Sequence, residues 1–177
     1  MSPEEIIQAV RGFAKSALSL TDSQVIVYQG PGVRPASAYC SVQFVGDEST
    51  GIAESTTVGT PGNLSVRVSD HRRCQVSVQT YGASADAWAS SLAVMWASRH
   101  AAADVARTAG LHPARATGPR DTTVLTDTSH EPRRQVTLYG YHRTTIADDP
   151  SLGYVSQIDV ALDMPPTTIT ASSTEVP

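Results

Sequence analysis

Apolar and polar positions alternate longest between Leu64 and Gln79. Leu64, Val66, Val68, Cys74, Val76 and Val78 fall on one phase, and Ser65, Arg67, Ser69, His71, Arg73, Gln75, Ser77 and Gln79 on the other. A period of two over this length is a half-buried strand with one wet face. Asp70 and Arg72 interrupt the dry phase, which predicts a bulge or an exposed outer half there. The strand stops at Tyr81-Gly82, where glycine supplies the backbone angles of a sharp exit. The period then becomes helical. Trp88, Leu92, Met95 and Trp96 recur on one face, Ser84 stands at the N-cap position, and Asp86 suits the positive end of the helix. Helical text continues to Thr108, with room for a break at 98–101, a C-cap at Gly110 and a stop at Pro113.

The same reading organises the rest. Ser2-Pro3-Glu4-Glu5 matches a capping box with proline at the first helical position. Ile6, Val10, Phe13, Ala14, Ala17 and Leu18 give that helix one apolar stripe. Val25 to Tyr28 is a short strand, and Gln29 to Ser37 a Gly/Pro-fixed loop. The stretch Ala38–Val58 pairs with Leu64–Tyr81 as a long hairpin across the Gly59–Asn63 turn. Its base near Tyr39, Phe44, Val76 and Val78 is apolar enough for a core, and its tip is not. Leu111 to His130 reads as loop with one short strand at 123–125. Arg133–Ile146 and Tyr154–Met164 read as a second hairpin across Asp148-Asp149-Pro150-Ser151.

The order α-β-β-β-α-β-β predicts an α+β domain over residues 1–164, with one mostly antiparallel sheet, a long projecting hairpin and helices packed on one face. Residues 165–177 form a Thr/Ser/Pro-rich tail with no core of its own, extended or disordered unless a partner holds it. Pro165-Pro166 cannot continue a strand ladder. Ile169 and Val176 are the natural pegs for a groove on a partner.

Composition narrows the function. The chain has 177 residues, enough for one domain with a real core. Only 17% are charged, low for a subunit that stays alone in solution, and Ser, Thr and Gln fill the wet strand faces. The net charge of −4 argues against a dedicated nucleic-acid binder. No apolar run approaches the ~20 residues of a membrane span. The N-terminus reads as a capped helix rather than a signal peptide. Cys40 and Cys74 read as reduced, small core residues.

No constellation points to catalysis or to a cofactor. The five histidines lack metal-ligand spacing. There is no nucleophile elbow, Walker loop or dinucleotide fingerprint. Asp148-Asp149 is explained by a turn, and Trp88, Leu92 and Trp96 by a core stripe. The basic run Asp70-His71-Arg72-Arg73 is either a solvated strand face or a contact between subunits, and Arg133-Arg134 reads the same way. Asp47 and Glu48, if carried on the hairpin, are candidates to meet those arginines on a neighbour.

The text from Val25 to Met164 resembles the neck or tail terminator proteins of long-tailed bacteriophages. The resemblance rests on pieces in a shared order: the short strand Val25–Tyr28, then Arg34-Pro35-Ala36-Ser37-Ala38-Tyr39, then the strand Gln75–Tyr81 ending in Gly82. Asp86-Ala87-Trp88-Ala89 follows, and later Gly118-Pro119-Arg120-Asp121 precedes the last hairpin. One departure is Gln135, where the family carries an aromatic residue.

The resemblance implies a structural, non-enzymatic virion protein assembled in the host cytoplasm. It implies a homo-oligomeric ring, a hexamer, capping the head-proximal end of the tail tube and ending its growth. The tail tube protein and a neck or connector protein would be its partners, and genome DNA would cross the lumen without specific binding. A neck or head-completion adaptor ring seated on the connector is the alternative. In either, the projecting hairpin and the tail suit a subunit completed by neighbours.

Overall fold

The computed structural model describes residues 1–28, 35, 37–60, 63–98, 100–126 and 129–146. The chain opens with α1 (Pro3–Leu18) and its capping box. Ser2 Oγ accepts from the Glu5 amide at 3.2 Å, and Glu5 Oε2 accepts from the Ser2 amide at 2.7 Å. Ser19 ends the helix in the left-handed region. One 3-10 turn leads into β1 (Val25–Val27), β2 (Tyr39–Thr60) and β3 (Asn63–Tyr81). Helices α2 (Ala85–Ala97) and α3 (Ala101–Thr108) follow. Then come β4 (His112–Ala116), β5 (Arg120–Asp121), β6 (Val124–Thr126), β7 (Ser129–Glu131) and β8 (Arg133–Ile146).

The main sheet runs β1-β2-β3-β8-β4, with β5 also on β8, and β6–β7 form a separate two-stranded ribbon. Among the described residues only β1 is parallel to its neighbour; the other pairs are antiparallel. Val42, Val76, Val78, Val136 and Leu138 face a core filled by Ile6, Val10 and Phe13 of α1 and Leu92 and Trp96 of α2. Trp96 meets Phe13 edge-on with ring centroids 4.9 Å apart, and its indole N–H donates to the Tyr139 carbonyl at 2.8 Å. The fold is α+β, with the helices on one face of a mostly antiparallel sheet.

The long hairpin pairs from Tyr39↔Tyr81 to Thr60↔Asn63. Gly82, at φ +95°, makes the expected exit. A Cβ there would lie 3.0 Å from the Cβ of Ala38, so the turn needs glycine for backbone and space alike. The helical text breaks as expected, with His100 capping α3 through its side chain.

Several details differ from the sequence reading. Of the two outcomes expected at Asp70 and Arg72, the outer half is exposed at Arg67 and Val68, and the irregularity beside it is carried by the opposite strand. Register shifts fall between Phe44 and Gly46 and between Ser49 and Ala53 of β2, with Gly51 at φ +76°. Ser84 occupies the N-cap position of α2 but makes no side-chain cap. The stretch read as loop contains β4, an edge strand whose Pro113 and two polar side chains hide its pairing with β8. The second hairpin's return strand, 154–164, lies outside the described residues. Within them β8 is flanked by β3 on one side and by β4 and β5 on the other. The boundary at 164 and the tail also lie outside.

Candidate subunit interface

Beyond Phe44 and Cys74 the hairpin leaves the helix-covered core and becomes an arm. Residues 48–51 and 53–56 of β2 are exposed, as are Arg67 and Val68 of β3. The third strand, β8, accompanies the arm as far as Ile146, opposite Val68. Polar side chains, rather than apolar ones, hold its root.

On the helix-side phase, Arg72 Nε donates to Asp47 Oδ2 at 2.6 Å and Arg72 Nη1 donates to Asp70 Oδ2 at 3.0 Å. Ser49 Oγ donates to Asp70 Oδ1 at 2.8 Å. His142 stands in register beside Arg72, with Nε2 3.5 Å from Asp47 Oδ2. The Arg72 guanidinium holds the Asp47 carboxyl below the usual carboxylate range. On the opposite phase Glu48 pairs with Arg73, while Glu54 lies 3.3 Å from Arg143 and 3.8 Å from His71. The arm root is thus a two-faced lattice of cross-strand ion pairs made within one chain.

Asp47, Glu48, His71, Arg72 and Arg73 therefore come together. Arg133 and Arg134 sit at the other end of β8. Arg133 pairs with Glu131 at 2.7 Å and lies 5.2 Å from the centroid of the Tyr81 ring, which stacks on Tyr39 at 4.3 Å. Arg134 bridges Asp86 of α2 at 2.9 Å and Asp121 of β5 at 2.6 Å. Those contacts tie helix and sheet together within the subunit. Gln135, the departure from the family pattern, donates to Ser77 Oγ at 2.8 Å. Ile169 and Val176 lie outside the described residues.

Sequence reasoning passed over Glu54, His142 and Arg143. A signal existed for His142, which continues the inward phase of Val136 and Leu138. Its partners depended on a register that only the fold supplies. Cys40 and Cys74 are free and buried, and burial pushes their thiols up to about 12 and about 11. Among the described residues no group of three or more His, Cys, Asp or Glu could hold a metal ion, and no helix is long and apolar enough to cross a membrane.

No curated protein matches the chain. The family model for phage neck terminator proteins matches residues 4–171, nearly the whole chain. A match over that span shows the family: the chain belongs to the phage neck terminator family.

Proposed function

We propose that this chain is the subunit of a ring, a hexamer, that caps the head-proximal end of the phage tail tube, ends its growth and offers the surface for head–tail joining. Family membership makes it a structural protein of the phage neck and of the virion. The observation that carries the finer reading is the arm. Past the Ser55–Val68 pair, β2 and β3 have only each other among the described residues, and two-stranded hairpins are marginal in water. A neighbouring subunit supplies the missing surface through main-chain pairing and polar contacts. The ion-pair lattice of Asp47, Glu48, His71, Arg72 and Arg73 fixes the arm's direction before it docks. Arg133 and Arg134, engaged by Glu131, Asp86 and Asp121 of their own chain, brace the far end of β8 behind that contact.

The tube protein and a neck or connector protein are the partners in this reading, and assembly takes place in the host cytoplasm. Sliding DNA is hindered by tight phosphate contacts, so the lumen is neutral to negative. Asp121, exposed and held below the usual carboxylate range first by its bonds from Thr123, is a candidate lining group. The tail from Pro165 onward docks on a neighbour or neck protein through Ile169 and Val176. Truncation after Pro166 leaves the fold intact and weakens head–tail joining. Binding of the purified protein to isolated tails and isolated heads tests the role. Capture by tails supports the terminator, and capture by heads alone supports an adaptor on the connector.

A further inference from the structure

We infer that His142 makes the arm root pH-sensitive: its buried imidazole is kept neutral in the closed root, and the proton it takes up as pH falls is solvated only when the root opens, which loosens the arm. The inference concerns the single subunit and does not depend on ring formation. His142 is 2% exposed, and neither ring nitrogen has a hydrogen-bond partner among the described residues. A buried polar group without a partner is costly and calls for an explanation.

The surroundings supply one. From β2, Asp47 Oδ2 lies 3.5 Å from His142 Nε2 and already accepts from Arg72. From β3, Arg72 stands beside His142 in the register. Burial is the largest influence holding the imidazole neutral, the Met1 amino group and Arg72 repel a proton as well, and Asp47 opposes them without prevailing. His112 of β4 pairs with Tyr141 and so belongs to the other face, as does Arg143 of β8. Asp70, the remaining acid of the cluster, is engaged by Arg72 and Ser49.

One carboxylate thus serves two potential cations. A carboxylate oxygen can accept from both, so Asp47 can keep Arg72 while it faces a protonated His142; what the buried proton lacks in the closed root is water. The Arg72–Asp47 bond ties β2 to β3 beside the register shift at Ser49–Ala53, so the root opens where its regular pairing is already interrupted. The sign follows from burial. The group titrates lower folded than unfolded, so protonation favours the opened root, and stability is lost as pH falls below 6.5 until the folded group has titrated.

The test uses the full chain. Ring-proton NMR of His142 and amide hydrogen exchange, expressed as protection factors, are followed from about pH 7.5 to about pH 5. We expect His142 to titrate below 6.5. Protection at arm-root amides 47–49 and 70–73 then falls to a plateau, about tenfold for each pH unit by which His142 lies below 6.5. Amides of Val76 and Val78 do not change. His142→Phe removes the dependence, and His142→Gln serves if the phenylalanine variant does not fold. Flat protection, a titration at or above 6.5, or an unchanged dependence in a folded variant overturns the inference. Should neither variant fold, the match between plateau and titration in the wild type decides.

Discussion

The base and the arm of the long hairpin are built from the same two strands, β2 and β3, paired antiparallel from end to end. At the base the inward phase is Cys40, Val42, Val76 and Val78, all buried beneath the helices. In the arm the same phase carries Asp47, Ser49, Asp70 and Arg72. A buried valine or leucine contributes ~1.5–3 kcal/mol, whereas a surface ion pair contributes ~0–1 kcal/mol. Backbone pairing is common to both regions, so the side-chain layer decides which part stands by itself. The base is folded by its own chain. The arm is shaped by its own chain, and in the proposed ring a second copy covers it.

That contrast can be broken most forcefully at the base. Trp96→Ala removes a buried ring, its edge contact with Phe13 and its bond to Tyr139, and costs ~3–5 kcal/mol in urea unfolding. Arg72→Met strikes the arm instead and costs far less, because its pairs are partly exposed. Its effect appears as faster hydrogen exchange at the arm root, with the base unchanged. Asp47 titrates lower in the fold than free, so the pair's contribution is complete above the ordinary carboxylate range and disappears as pH falls through it. The gap between wild type and Arg72→Met therefore narrows below about pH 4. Glu48→Gln, at an exposed pair, leaves unfolding of the isolated subunit unchanged within error, and a loss as large as that of Arg72→Met would show that the two faces of the root are equivalent.

The cysteines sharpen the comparison without a mutation. Cys40 and Cys74 lie under the helices with thiols pushed up to about 12 and about 11. Neither reacts with a thiol reagent at neutral pH in the native protein, and both react once the base unfolds. Fast labelling of either while the base amides remain protected would place that thiol outside the core.

Legibility in the sequence followed the same division. Periodicity exposed α1, the long hairpin, the break between α2 and α3, and the bounds of β8, because apolar side chains that fill a core must recur in phase. It missed β4, since an edge strand with Pro113 is defined by a neighbour's hydrogen bonds rather than by its own residues. Where the charges were visible on β3 it allowed a bulge or an exposed outer half, and the outer half is exposed at Arg67 and Val68. The extra residues are in fact in β2, whose polar Ser49–Gly51 text has no phase to break. The site residues were readable as types but not as partners. Asp47, Glu48, Arg72 and Arg73 stood out as charges on a hairpin, but only the register could pair them within one chain. His142 and Glu54 needed that register as well. Arg133 and Arg134 looked like one basic pair, and strand alternation sends them to opposite faces of β8, towards Glu131 and Asp86.

The central claim is that the arm is completed by a second copy of the chain. Molar mass by light scattering after size-exclusion tests it most directly, comparing the full chain with a variant in which Thr50–Ser65 is replaced by a short turn. The account predicts a closed ring for the full chain and a folded monomer for the variant. A ring of unchanged mass from the shortened protein, or a monomeric full chain at every concentration, would contradict it.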